Sequence, residues 1–196
     1  MAVDLEERFR RGVAFEEFIE GADARQMMQW SYDNTTLTNG QLEMLRGLER
    51  KMNLLVVAAV WCPDSQANVP VMARMADSTP MIDMRIISRD DNEDLMQEHL
   101  TNGGMRIPLC LMLSQDFYLV ERWAERPASA YRFLYELRQK GVGGDAARAK
   151  FMRQYHSTGM IEATVSELIQ RIERTGLILA LSHRLDKIDA SGETES

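Results

Sequence analysis

The sequence has few residues that could build a covalent or metal-bound framework. Of its 196 residues only Cys62 and Cys110 are cysteines, and the three histidines, His99, His156 and His183, lie far apart. Two cysteines are too few for a disulfide framework, and so low a cysteine content is typical of proteins from a reducing compartment. Any cysteine chemistry is therefore expected to use single thiols. With no cysteine pair near the histidines, we expect no metal site.

The sequence also lacks a basic excess and a long apolar segment. Thirty acidic residues against 23 basic ones leave a net charge of -7, which disfavours a nucleic-acid partner. The longest apolar run, Leu54 to Cys62, is too short to cross a bilayer, and the N-terminus is charged where a secretory signal is apolar. We therefore expect a cytoplasmic protein that binds neither nucleic acid nor membranes.

Residues 1–52 predict a helical extension. Apolar side chains return every three to four positions between charged residues. Thr38 followed by Gln41 has the form of a capping box, which predicts a helix from Asn39 to about Lys51.

Residues 53–140 predict an α/β fold. The run from Leu54 to Trp61 is apolar on both alternating faces, as in a strand that helices cover on both sides. A helix after Cys62, a strand over residues 82–88 and a short helix follow, and then two apolar runs suit an antiparallel hairpin. The order βαβα and then ββα implies a mixed central sheet flanked by helices.

The C-terminal part predicts more helices. Residues 145–156 and 160–183 have helical periodicity, and the second stretch has an apolar stripe for packing on the sheet domain or on a partner chain. The polar tail predicts disorder. The predicted division is an extension over 1–52, the α/β domain over 53–140, packed helices over 141–188 and a disordered tail over 189–196.

The segment from Trp61 to Ser65 carries the strongest functional signal, because it places a thiol between a buried strand and the start of a helix. Unpaired N–H groups and the helix dipole favour an anion there, and the thiolate is the reactive form of cysteine. Pro63 suits the first helical position. Ser65, one turn along, can direct its hydroxyl and its N–H toward the sulfur.

Several stretches of the sequence resemble a known family. An apolar strand ending in Trp61-Cys62, a helix with Pro70, and a later Ile107-Pro108 opening a strand are together similar to thioredoxin. A closer resemblance is to the bacterial thioredoxin-like family with helical extensions at both ends, over roughly residues 38 to 175. The stretches that carry it are Trp61-Cys62-Pro63-Asp64-Ser65, Asn68-Val69-Pro70-Val71, Arg89-Asp90 with Leu95-Met96, Leu100-Thr101-Asn102-Gly103-Gly104 before Ile107-Pro108, and Trp123-Ala124-Glu125-Arg126-Pro127.

The resemblance implies a thioredoxin fold with additional N- and C-terminal helices. It implies that Pro108 follows a cis peptide bond and faces Cys62, forming a shelf on which an extended substrate peptide pairs with the backbone. It assigns catalysis to Cys62 and Ser65, and substrate binding to Trp61, Pro63, Asp64, Ile107 and Pro108. Asp64 also has a simpler interpretation, as a favourable acid in the first turn of a helix.

Two departures from the thioredoxin pattern change the expected chemistry. Thioredoxins have a second cysteine where Ser65 stands, which resolves the mixed disulfide, and a buried carboxylate where this chain has Val56. An efficient general disulfide reductase is therefore not expected. The Cys-Pro-x-Ser arrangement instead resembles monothiol glutaredoxins and some glutathione transferases, in which glutathione supplies the second thiol.

Two functional hypotheses follow. The first is a monothiol thiol–disulfide exchange protein or glutathione-linked oxidoreductase that acts on protein or small-molecule thiols and disulfides. It predicts no bound cofactor and leaves glutathione open as a co-substrate. The alternative is a non-catalytic peptide- or protein-binding module. Cys110 lies roughly 6.6 Å along a strand from Pro108, and we interpret it as a core residue rather than a resolving thiol. The sequence is compatible with either a monomer or a homodimer.

Overall fold

The structure of the chain, a computed structural model, describes residues 3–192 and contains a mixed four-stranded sheet. The strands are β1 (Met52–Ala58), β2 (Ile82–Ser88), β3 (Leu109–Ser114) and β4 (Leu119–Ala124), in the order β2-β1-β3-β4. β1 pairs parallel with β2 and antiparallel with β3, while β3 and β4 form an antiparallel pair. Helices flank the sheet, so the predicted α/β fold with a mixed sheet is confirmed.

β1 forms the centre of the core, and every one of its residues is buried. Leu54 and Val56 belong to the apolar cluster on one face of the sheet, which also takes in α5 (Pro63–Ala76) and α9 (Thr158–Ala180). Leu55 and Val57 belong to the cluster on the other face, under α1 (Leu5–Arg11) and α6 (Glu93–Glu98). This two-sided burial explains why the strand is apolar at consecutive positions.

The N-terminal extension consists of α1, α2 (Phe15–Ile19), α3 (Arg25–Asp33) and α4 (Asn39–Arg46). The capping box predicted for Thr38 and Gln41 forms at the start of α4.

One contact of the extension was not predicted: Val13 makes an antiparallel bridge to Ile86 and so adds to the outer edge of β2. A Cβ on neighbouring Gly12 would lie 2.7 Å from the Cβ of Arg85, so only glycine permits this close approach. The bridge ties the N-terminal helices to the sheet.

The C-terminal helices are α7 (Ala128–Gln139), α8 (Gly144–Tyr155), α9 and α10 (His183–Gly192). The single helix predicted over residues 160–183 is instead α9, which ends at Ala180, followed by the separate α10. α9 buries Ile161, Val165, Leu168 and Ile172 in the same cluster as α5. Among the described residues, no helix has the length and apolar character that a bilayer crossing requires.

The disorder predicted from residue 189 is wrong for residues 189–192, because α10 continues to Gly192. The guanidinium of Arg50 pairs with both Asp186 and Asp189, one turn apart on this helix, and holds its last part against the body of the protein. Residues 193–196 of the predicted tail lie outside the described residues. The proposed division at residues 52, 140 and 188 stays a prediction.

Candidate functional site

Cys62 is the N-cap residue of α5, directly after the turn that leaves β1. Its N–H donates to the carbonyl oxygen of Ala59 at 3.1 Å, and Pro63 occupies the first position of the helix. β1 ends at Ala58 rather than at Trp61 as predicted, because the chain turns there and exposes Val60 and Trp61. The buried strand thus delivers the thiol to the start of the helix.

The loop before β3 lies against this thiol. The Cys62 Sγ donates to the carbonyl oxygen of Ile107 at 3.7 Å, and the Ile107–Pro108 peptide bond is cis. The carbonyl of Pro108 accepts a hydrogen bond of 2.8 Å from the N–H of Glu125. The structure therefore places the Ile107 carbonyl and the cis Ile107–Pro108 bond beside the Cys62 thiol.

Ser65 does not make the predicted contact with the sulfur. Its side chain is fully buried, and its hydroxyl accepts a hydrogen bond from the N–H of Ala59 at 3.4 Å. Within residues 3–192, neither Ser65 nor the first turn of α5 donates a hydrogen bond to the Cys62 sulfur. Ser65 thus supports the turn between β1 and α5.

Trp61 is the most exposed side chain next to the thiol. It is 57% exposed, whereas Cys62 is only 7% exposed. The guanidinium of Arg89 stands 5.6 Å from the centre of the Trp61 ring and also lies 3.5 Å from a carboxylate oxygen of Asp90. The indole therefore forms an exposed apolar surface beside a nearly enclosed sulfur.

Asp64 points into the protein rather than toward solvent. Its carboxylate accepts a hydrogen bond of 2.6 Å from Arg126, which also pairs with Glu125 at 2.8 Å. Burial raises the pKa of Asp64, and the positive charge of Arg126 opposes that rise. The structure thus places Asp64 in an internal ion pair.

A buried polar network extends from this ion pair to the C-terminal helices. The Asn68 side chain donates to the carbonyls of Asp64 and Glu125 and to the Tyr155 hydroxyl, at 2.9, 3.0 and 2.6 Å. The Thr164 hydroxyl donates to the Asn68 side-chain oxygen at 2.9 Å. Burial and the nearby Asp64 charge raise the pKa of Tyr155. The network joins the start of α5 to α8 and α9.

Sequence reasoning did not assign this network. Its only signal is that Asn68, Glu125 and Arg126 lie in stretches that resemble the family. Glu125 has a φ of 66°, in the left-handed region that non-glycine residues rarely adopt. Its carboxylate accepts a 2.6 Å hydrogen bond from Tyr131, whose pKa is raised to about 12, chiefly by burial.

Cys110 lies on the opposite face of the sheet from Cys62. Its side chain packs in the cluster that contains Val56, whereas Cys62 packs in the cluster that contains Val57. Both cysteines are free thiols. Cys110 is fully buried, and burial raises the pKa of its thiol to about 12. Within the described chain, no group of three or more His, Cys, Asp or Glu residues is arranged to hold a metal ion.

A sequence model of the family described as thioredoxin matches residues 12–139, which is more than half of the chain. The chain belongs to the thioredoxin family. The matched region begins at Gly12, beside the Val13 bridge, and ends at the last residue of α7. A search of curated proteins finds no match.

Two solved structures are similar to this thioredoxin-family chain over most of its length. One is a protein of unknown function from Pseudomonas aeruginosa, 26% identical with a TM-score of 0.69, and the match covers 88% of this chain and 98% of that one. The other is an HIV epitope scaffold, also 26% identical, with a TM-score of 0.67 and coverage of 87% and 98%.

Proposed function

We propose that this thioredoxin-family protein exchanges thiols and disulfides through one nucleophile, Cys62, and depends on an outside thiol to release its product. The observation that carries the proposal is the position of Cys62 at the start of α5, against the Ile107–Pro108 loop. A helix N-terminus favours the thiolate, which is the attacking form.

The exchange proceeds in three displacement steps. The Cys62 thiolate attacks one sulfur of a substrate disulfide, forms a mixed disulfide, and releases the other sulfur as a thiolate. An outside thiolate then attacks the Cys62 sulfur and expels the bound substrate thiolate, and a second attacks the new mixed disulfide to free Cys62. The substrate disulfide is reduced, and two outside thiols are oxidised to one disulfide.

The need for an outside thiol follows from the surroundings of Cys62. Ser65 has no sulfur, and its hydroxyl is bonded to backbone. Cys110 is on the other face of the sheet with a pKa of about 12, so it supplies almost no thiolate at neutral pH. Glutathione, or another small thiol, supplies the sulfur that the second cysteine supplies in thioredoxins.

Mixed-disulfide trapping tests this proposal. The protein is incubated with a peptide disulfide, and adducts are separated on non-reducing gels. We expect adducts with wild type and with Cys110→Ala, and none with Cys62→Ser. Adducts that persist on Cys62→Ser, or their absence from folded wild-type protein, would refute the exchange role.

A second function is a peptide- or protein-binding module without turnover. It is favoured by the 7% exposure of Cys62 and by the hydrogen bond that its thiol donates to the Ile107 carbonyl. In that case the Cys62→Ser variant binds the peptide as tightly as wild type does, and neither protein reduces the disulfide. The trapping experiment therefore separates the two functions.

A further inference from the structure

Glu125, the residue directly after β4, combines an unusual backbone conformation with burial. Its φ of 66° lies in the left-handed region, which glycine adopts freely and glutamate rarely adopts. Its side chain is only 9% exposed, although a carboxylate is costly to bury. Residues held in such a conformation persist where the surrounding contacts over-determine it, and they cluster at functional sites. The contacts of Glu125 must therefore offset both costs.

The main chain of Glu125 bonds to both segments that surround Cys62. Its N–H donates to the carbonyl oxygen of Pro108 at 2.8 Å, in the loop whose Ile107 carbonyl accepts from the thiol. Its own carbonyl accepts a hydrogen bond of 3.0 Å from Asn68 on α5, the helix that Cys62 begins. One residue therefore links the loop on one side of the thiol to the helix on the other.

The carboxylate of Glu125 is held by three side chains from different segments. One oxygen pairs at 2.8 Å with the guanidinium of Arg126, which also pairs with Asp64 at the start of α5. The other oxygen accepts a hydrogen bond of 2.6 Å from Tyr131 on α7 and lies 3.8 Å from the guanidinium of Arg106, just before the cis bond. These contacts fix the side chain, and with it the left-handed backbone.

The place of the Ile107–Pro108 loop governs access to the thiol. Cys62 is nearly enclosed, and the loop contacts its sulfur through the Ile107 carbonyl. A shift of the loop therefore changes how a peptide disulfide can be presented to the sulfur. Orientation of the two reactants contributes strongly to the rate of such a reaction.

We propose that Glu125 is a positioning residue of the exchange site. Resting on the exchange function proposed above, it sets the place of the Ile107–Pro108 loop relative to Cys62 through the bond from its N–H to Pro108. Its carboxylate holds the left-handed backbone that directs this N–H. Its role is to orient the peptide disulfide, and it transfers neither protons nor electrons.

Two reactions of Cys62 test the inference, because only one of them depends on the loop. The first is adduct formation with a peptide disulfide, and the second is alkylation by iodoacetamide, a small reagent that needs no alignment against the loop. Glu125→Gln should slow adduct formation by about tenfold, because the peptide is less well oriented. Alkylation at the same pH should not slow.

A second variant and a matched control accompany this substitution. Glu125→Gly keeps the test decisive if Glu125→Gln does not fold, because glycine adopts the left-handed backbone without strain. It also lacks the carboxylate, so it should slow adduct formation without slowing alkylation. Glu121→Gln is the control, since Glu121 lies earlier on β4 and likewise pairs with two guanidiniums, those of Arg171 and Arg174. It should leave both reactions unchanged.

The possible outcomes separate this inference from the function on which it rests. The inference alone is overturned if wild type forms adducts and the Glu125 variants form them at the same rate. It is also overturned if alkylation slows in parallel with adduct formation, or if Glu121→Gln slows adduct formation equally. The absence of adducts from folded wild-type protein would overturn the exchange function, and this inference with it.

Discussion

The two thiols of the chain have different surroundings, and this difference is the reason that the proposed exchange is assigned to Cys62. Cys62 begins α5 beside the Ile107–Pro108 loop, at the edge of its apolar cluster. Cys110 lies within β3, paired with Val56 and Trp123 on the neighbouring strands, and is fully buried. Desolvation penalises the charged form, so the Cys110 thiol stays protonated while the protein is folded.

This burial predicts a pH dependence of stability. The pKa of Cys110 is raised in the folded state to about 12, so its contribution is fully present below the pKa of the unfolded thiol and is lost as pH rises toward 12. Between pH 8 and 10.5, the free energy of unfolding of wild type should fall by about 2 kcal/mol more than that of Cys110→Ala. Urea unfolding at both pH values measures this, and parallel decreases in the two proteins would contradict it.

Part of the site could be predicted residue by residue. The apolar run, Cys62 and Pro63 follow one another in the chain, so local rules place the thiol at the start of the helix. The Asp64–Arg126 pair joins residues 62 positions apart, and its formation depends on the turn after β4. The direction of the Ser65 hydroxyl depends on the conformation of the turn between β1 and α5, because the hydroxyl accepts from the N–H of Ala59. The spacing of residues in the sequence does not specify that conformation.

At the scale of elements, the polar network makes the C-terminal helices part of the support of the segments around Cys62. α5 provides Asn68, α8 provides Tyr155 and α9 provides Thr164, and all three side chains are buried. The carbonyl of Glu125, whose N–H bonds to Pro108, also accepts from Asn68. The network therefore connects both segments that surround Cys62.

Removing members of this network should destabilise the protein in a definite order. Tyr155→Phe deletes one hydroxyl and should lower the free energy of unfolding by about 1 kcal/mol. Asn68→Ala leaves several buried groups without a partner and should cost about 3 kcal/mol. Urea unfolding measures both, with exposed Tyr135→Phe on α7 as the control that should change stability little. Equal effects of the Asn68 and Tyr155 substitutions would contradict the central place of Asn68.

Elements with strong local patterns were predictable, and those fixed by distant contacts were not. β2 and the capping box of α4 have complete sequence signatures, and both form where predicted. The Val13 bridge is a single residue, too short to show an alternating pattern. α10 is held by Arg50, which lies more than 130 residues earlier in the chain. The local sequence of its last residues is only polar, so it predicted a disordered tail.

At the scale of the whole molecule, the thioredoxin-family sheet presents one thiol beside the Ile107–Pro108 loop and keeps the other in its core. Extensions at both ends pack on this domain: Val13, between α1 and α2, bridges to the edge of β2, and α9 covers α5 and β4. With one thiol at the proposed exchange site, completion of the proposed reaction cycle requires a second molecule.

The release rate of a mixed disulfide on Cys62 tests this dependence most directly. Intact-mass spectrometry follows one peptide adduct as thiol is added to wild type, Ser65→Ala and Ser65→Cys. We predict that release from wild type and from Ser65→Ala is proportional to the thiol concentration, whereas Ser65→Cys releases its adduct without added thiol. Release from wild type at the same rate with and without thiol would contradict the account.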